Sequence, residues 1–270
     1  MGHRPGPDAC AACPSRPSLV RLGLRPDRFD FVVALAGNPN TGKSTVFNAL
    51  TGLRQHTGNW PGKTVARAEG GFAYDGRRFK LVDLPGTYSL LSNSPDEEVA
   101  RDFLLFGQPD VTIVVVDATR LERNLNLALQ VLEITHRAVV CLNLVDEADR
   151  QNLVIATPTL ANDLGVPVVP TVARERRGIG ELLEQVDAVA TGRVTCRPRR
   201  VQSLPPALDE AVARLARELA GRFPALSNAR WVALRLLEGD PRITEAVRSG
   251  ELGRIGRLAT AAPGAGEIPP

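Results

Sequence analysis

Between residues 30 and about 193, hydrophobic positions fall into short solid runs separated by stretches of helical spacing. Residues 31–36 (FVVALA), 111–116 (VTIVVV), 138–142 (AVVCL) and 166–169 (VPVV) are apolar at nearly every position, as in strands buried on both faces. Residues 124–134 and 179–189 instead repeat apolar side chains at intervals of three and four, which predicts helices. Asp75-Gly76, between residues 71–74 and 79–82, reads as the tight turn of an antiparallel hairpin. Strands alternating with helices predict an α/β fold on a mostly parallel, doubly wound sheet, with 30–193 as its domain.

Beyond residue 193 the pattern changes. Residues 194–203 are polar and Arg-rich, as in a linker. Residues 208–223 and 229–238 then show helical spacing, with Pro205-Pro206 ahead of the first helix and Gly239-Asp240-Pro241 stopping the second. Residues 243–258 suggest one or two further short helices, so 204–258 is expected to be a small all-α domain. Residues 1–29 carry five prolines and little periodicity and are expected to be a flexible extension. Residues 259–270 are small and Pro-rich and are expected to be disordered.

Composition adds limits. At 270 residues the chain can bury a sizeable core, and 43% hydrophobic with 23% charged residues is ordinary for a globular protein. A net charge of +3 with scattered arginines gives no nucleic-acid-binding face, and no nucleic-acid partner is expected. No apolar run approaches the roughly 20 residues that span a bilayer, and the polar start has no signal-peptide core. Four irregularly spaced cysteines point to a reducing cytoplasm. Cys10 and Cys13 form a C-x-x-C pair with only His3 nearby, short of a four-ligand metal set.

The chemistry is concentrated at Gly37-Asn38-Pro39-Asn40-Thr41-Gly42-Lys43-Ser44, a complete G-x-x-x-x-G-K-[ST] phosphate loop. An apolar strand precedes it, and Thr45-Val46-Phe47-Asn48-Ala49-Leu50 opens a helix after it. Its backbone N–H groups and the helix N-terminus suit phosphate oxygens, Lys43 suits the β- and γ-phosphates, and Ser44 suits Mg2+. The chain holds three lysines (Lys43, Lys63, Lys80) among 33 basic residues, so a lysine at this position is informative.

Two strand-end motifs narrow the ligand. Asp83-Leu84-Pro85-Gly86 supplies a carboxylate for Mg2+ and a Gly86 N–H for the γ-phosphate. Asn143-Leu144-Val145-Asp146 places a carboxylate where it can accept from both the ring N–H and the exocyclic amine of guanine, which adenine cannot satisfy. In this order the motifs imply a P-loop GTPase that binds GTP and GDP.

The chain resembles the cytosolic GTPase module of the FeoB family of ferrous-iron transporters over about residues 31–250. The resemblance is carried by 55–65 (QHTGNWPGKTV) in a first switch, by 83–90 (DLPGTYSL) and 97–101 (EEVAR) in a second, and by 117–125 (DATRLERNL) and 230–240 (RWVALRLLEGD). It implies that Thr64, after Gly62, closes on Mg2+ and the γ-phosphate. Asn40 would help to bind an activating K+, and Ser44, Thr64 and Asp83 would hold Mg2+. Lys43, Thr64, Gly86 and Asn40 would carry catalysis. The helical domain would couple the switches to a membrane permease, placing the chain in the cytoplasm at the inner face of the cell membrane.

Two positions stand out. Thr87 stands where Ras-like GTPases carry a water-orienting Gln, as FeoB-like proteins also lack it, so slow intrinsic hydrolysis is expected. The guanine loop reads Thr171-Val172-Ala173-Arg174 where the family usually has Thr-Ser-Ala-Arg. The Ala173 backbone N–H is expected to keep the base contact, while the lost hydroxyl is expected to loosen the loop and speed GDP release. Since this chain stops before any transmembrane helix, it fits a truncated transporter, a split system with a separate permease, or a free-standing switch. The alternative is a GTPase of another process, such as assembly, RNA modification or metal sensing through Cys10 and Cys13.

Overall fold

β1 (Phe31–Gly37) is hydrophobic along its whole length because it lies at the middle of a sheet covered on both faces. In the computed structural model, which describes residues 19, 29–52, 55–91, 94–199, 204–224, 226 and 228–252, every β1 residue from Val32 to Gly37 is buried. The other strands are β2 (Gln55–Asn59), β3 (Ala66–Tyr74), β4 (Arg77–Asp83), β5 (Val111–Asp117), β6 (Ala138–Asn143) and β7 (Val168–Pro170). They run in the order β2-β3-β4-β1-β5-β6-β7. β4, β1, β5, β6 and β7 are parallel, while β2–β3 and β3–β4 are antiparallel. This is the α/β fold with a mostly parallel sheet that the periodicity predicts.

The turn between β3 and β4 is the expected one, with φ of 44° at Asp75 and 73° at Gly76. This left-handed pair matches the twist of a two-residue hairpin, and Gly at the second position meets it without a Cβ clash. Arg77, just after the turn, binds both carboxylate oxygens of Asp187 at 2.9 and 3.1 Å. Asp187 is fully buried in α6 (Ile179–Ala190), so the hairpin is locked to that helix.

The helices around the sheet are α1 (Lys43–Thr51), α2 (Pro95–Asp102), α3 (Leu121–Ile134), α4 (Val145–Arg150), α5 (Thr157–Leu164) and α6. β1 pairs with β4 on one side and β5 on the other, so the sheet reverses its winding at β1. In doubly wound sheets the crevice at the carboxyl ends of the strands flanking such a point binds ligands. Register brings the motifs to that edge: Leu35 lies opposite Asp83, Gly37 opposite Val115, and Asp117 opposite Asn143.

Residues 194–199, expected as linker, are instead tied down. The Arg197 N–H bonds the Gly165 carbonyl at 2.8 Å, and Cys196 is buried with its thiol 3.6 Å from the Ala138 carbonyl. Alternate residues of this stretch face inward, which its arginine content conceals. Burial pushes the Cys196 thiol up and that of Cys141 in β6 up to about 12, so both remain protonated thiols.

A second compact unit contains α7 (Pro206–Arg222), α8 (Ala229–Leu237) and α9 (Pro241–Arg248). The last begins two residues ahead of the sequence expectation because Asp240 caps it, accepting from the Ile243 N–H at 3.0 Å. Leu19, inside the expected flexible extension, is helical, buried and grouped with this unit. Cys10, Cys13, the rest of residues 1–28 and the tail from 253 lie outside the described residues.

Candidate nucleotide-binding site

The P-loop needs two left-handed residues to curl its amides inward, and it has them at Asn40 (φ 66°) and Gly42 (φ 79°). Asparagine tolerates this region better than most residues with a Cβ. Gly42 has a second constraint, because a Cβ there would lie 2.4 Å from the Asn143 amide nitrogen. Gly42→Ala is therefore expected to lower the Tm of the nucleotide-free chain by about 5 °C, from strain of roughly 1–3 kcal/mol plus displacement of Asn143. Thermal unfolding by circular dichroism checks this, and an unchanged Tm would contradict the geometry.

Asn143 joins the phosphate and base regions. Its Nδ2 donates to the Thr41 carbonyl at 3.0 Å, and its Oδ1 accepts from the Ala173 N–H at 3.1 Å and the Thr171 hydroxyl at 3.3 Å. One buried amide thus holds the P-loop and the guanine loop together. Val172 is buried and apolar, and its N–H bonds the Arg177 carbonyl at 3.0 Å. The loop is therefore fixed by backbone bonds, without a hydroxyl at 172.

Asp146 fits a guanine by its own shortage of partners. Its Oδ2 is held by Arg150 and Arg174, while its Oδ1 is buried with no hydrogen-bond partner among the described residues. A buried carboxylate oxygen without a donor is costly, and guanine carries the N–H groups that would satisfy it. Arg174 is the partner that reading the sequence missed. Its only signal was its place directly after Ala173.

Lys43 and Asp83 meet at 2.5 Å, with side chains 11% and 18% exposed. Burial pushes the Asp83 carboxyl up from its ordinary value, and the Lys43 ammonium offsets this only in part. An ionised Asp83 therefore gains from further positive charge, as expected of a carboxylate that serves Mg2+. Ser44 and Thr45 are exposed at the start of α1, on the same edge. Gly86 packs on the P-loop, where an added Cβ would lie 3.5 Å from the Pro39 nitrogen, and Leu84 N–H is bound to Leu35 at 2.9 Å. Leu84 and Pro85 connect the end of β4 to Gly86.

A model of the family described as ferrous iron transport protein B matches residues 31–186, and one described as the FeoB cytosolic helical domain matches residues 205–261. The chain belongs to the FeoB family. It is 44% identical over 212 residues to the Fe(2+) transporter FeoB of Shigella flexneri, covering 77% of this chain but 27% of that protein. The chain therefore spans about a quarter of the length of the curated relatives it matches. Among solved structures it is similar to the cytosolic domain of T. maritima FeoB in a GDP form, with 34% identity, TM-score 0.74, and coverage of 85% of this chain and 96% of that one. It is also similar to an S. thermophilus NFeoB mutant bound to GDP, with 35% identity, TM-score 0.71, and coverage of 85% and 89%.

Within this FeoB-type frame, the first switch is an exposed turn. Gly62 and Thr64 are exposed, and Thr64 makes no hydrogen bond among the described residues. Between them and the sheet, Trp60 is the anchor. It is buried, meets the Phe103 ring edge-on at 5.4 Å, and lies beneath the Arg67 guanidinium. Its backbone N–H donates to the Val65 carbonyl at 3.0 Å, and the Lys63 backbone N–H donates to the Trp60 carbonyl at 3.0 Å. Lys63 also reaches Glu98 of α2 at 2.7 Å.

Thr87 is buried, its N–H 3.3 Å from the Gly37 carbonyl and its hydroxyl donating to the Ser89 carbonyl at 3.0 Å. The hydroxyl hydrogen is held within the loop, and a threonine hydroxyl is in any case too weak a base to deprotonate a water.

Proposed function

We propose that this chain is the GTP-hydrolysing regulatory module of a ferrous-iron uptake system. In this reading its nucleotide state is coupled to a membrane permease at the cytoplasmic face of the cell membrane. The observation that carries the nucleotide part is the buried Asp146 Oδ1, without a partner among the described residues, next to the Asn143 that ties its loop to the P-loop. The iron-uptake part rests on family membership, since the full-length relatives are named as Fe(2+) transporters. No described helix is long and apolar enough to cross a membrane, so the transport path would belong to the permease.

In the mechanism this supports, Asp146 selects guanine, while the amides of residues 38–45 and Lys43 hold the phosphates; the Ala173 N–H, expected on the base, is turned to the Asn143 Oδ1 at 3.1 Å. Ser44, Asp83 and, after the first switch closes, Thr64 would hold Mg2+, which supplies charge neutralisation at the β- and γ-phosphates. The Gly86 N–H would orient the γ-phosphate. Water attack there forms a P–O bond as the bond to the β-phosphate oxygen breaks, and inorganic phosphate and GDP leave. A threonine hydroxyl is too weak a base to take the water proton, which would pass to a γ-phosphate oxygen and leave with inorganic phosphate, so slow intrinsic turnover is expected.

Asn40 is exposed at the left-handed bend beside the phosphates, where its amide oxygen would serve a K+ ion. GTP turnover measured by phosphate release is expected to be about tenfold faster in K+ than in Na+ for the wild type. Asn40→Ala should lose this difference while still binding GDP. Equal rates in both salts would remove K+ from the mechanism and leave the GTPase assignment standing.

A further inference from the structure

The second switch leaves the sheet edge at Gly86 and is caught again by α3. Leu90 is buried, and its backbone N–H donates to the Gln130 Oε1 at 2.7 Å. The Ser89 hydroxyl donates to the same oxygen at 3.3 Å and accepts from the Leu91 N–H at 3.0 Å. A backbone N–H can only donate, so the atom of Gln130 that faces it must be the amide oxygen. Gln130 stands 40 positions from Leu90, in none of the nucleotide motifs.

The same face of α3 makes a second contact with this loop. Arg123, seven residues before Gln130 and therefore two turns along one face, lies 4.4 Å above the Tyr88 ring. Among residues 88–91 only Leu90 is buried, so apolar burial alone gives this stretch little hold. The Gln130 oxygen is what fixes its backbone.

The contact reaches Gly86 through Thr87. The Thr87 hydroxyl donates to the Ser89 carbonyl at 3.0 Å, and its N–H lies 3.3 Å from the Gly37 carbonyl. On the other side, the Leu84 N–H is bound to the Leu35 carbonyl at 2.9 Å. Gly86 thus lies between two anchors, the sheet at Leu84 and α3 through Ser89 and Leu90. A glycine has wide backbone freedom, so the direction of its N–H depends on what holds the residues around it.

We propose that Gln130 is a positioning residue for the γ-phosphate. Its amide oxygen holds Ser89 and Leu90 on α3 and thereby keeps the Gly86 N–H aimed at that phosphate. This rests on the GTPase reading given above. A donor fixed in advance stabilises developing charge without being reordered during the reaction. GDP has no γ-phosphate and does not draw on the contact.

Three forms of the whole chain test the role. They are wild type, Gln130→Met, which keeps the length but removes the acceptor, and Gln130→Glu, which keeps an acceptor oxygen. Gln130→Met is expected to lower kcat for GTP about tenfold and to weaken binding of a non-hydrolysable GTP analogue by about as much, the scale of one N–H losing its partner. Its GDP affinity should stay within about twofold of wild type, and Gln130→Glu should restore the GTP values. Hydrogen exchange at the Leu90 amide of the nucleotide-free chain should be about tenfold faster in Gln130→Met and near wild type in Gln130→Glu. Absence of wild-type turnover would sink the GTPase reading, while analogue binding and Leu90 exchange would still decide the role of Gln130. The proposal is overturned by unchanged Leu90 exchange or unchanged analogue binding in Gln130→Met. An equal loss for GDP, or a Gln130→Glu variant that behaves as Gln130→Met, overturns it as well.

Discussion

Asp146→Asn is expected to weaken GDP binding about a thousandfold and to transfer preference to xanthosine diphosphate. Xanthine carries a carbonyl where guanine carries an amine. An Asn side chain that keeps its oxygen toward Arg150 and Arg174 would turn its N–H2 to that carbonyl. The buried Oδ1, without a partner among the described residues, is the atom whose replacement would reverse the selection. Competition of both diphosphates against a fluorescent GDP analogue measures the effect. A loss of less than tenfold would mean that Asp146 does not read the base. Retained fold is checked in the same samples, since Arg150 and Arg174 keep an oxygen to bind.

Lys43→Ala is expected to lower GTP affinity about a hundredfold or more and to abolish turnover, because a charge-assisted contact with the phosphates is lost. The effect is compounded by Asp83, whose partner at 2.5 Å disappears, leaving a buried carboxylate facing the incoming phosphates. GDP, with no γ-phosphate, should lose less than GTP. Equilibrium binding of a non-hydrolysable GTP analogue and of GDP checks both parts, and GTP affinity within threefold of wild type would dismiss Lys43 as the phosphate ligand. In cells, the same substitution should stop uptake of ferrous iron if the proposed coupling holds.

How much of this was legible in the sequence depended on whether the signal was local. The strand–P-loop–helix unit, the hairpin at Asp75-Gly76 and the helices α3 and α6 announce themselves through solid apolar runs, turn residues and three-four spacing. β2 does not, because Gln55–Asn59 is a polar edge strand paired only with β3. Backbone pairing, rather than burial, makes it a strand. α2 has few apolar residues, and its signal is the start Ser94-Pro95-Asp96-Glu97, with Ser94 accepting from the Glu97 N–H at 3.2 Å. Candidate site residues could be named because the P-loop and both strand-end motifs are local patterns that the structure gathers at one edge of the sheet. Their mutual contacts could not. Asn143 reads as a base-loop residue in sequence, yet its amide also grips Thr41, 102 positions away. Gln130 likewise meets Leu90 across 40 positions, which no local pattern connects.

The tethering of the first switch bears on how easily it moves. Trp60 and Val65 are fixed to the body of the domain, so only residues 61–64 are free to swing, a chain length of roughly 13 Å when extended. The Lys63–Glu98 pair fastens this short arm to α2, and both partners are about one-third exposed. Such pairs contribute only about 0–1 kcal/mol. A contact between Thr64 and a nucleotide-bound cation stronger than that is enough to reverse the balance. In the proposed mechanism the arm would work as a clasp held by one weak pair, closing when the ligand arrives and reopening when it departs.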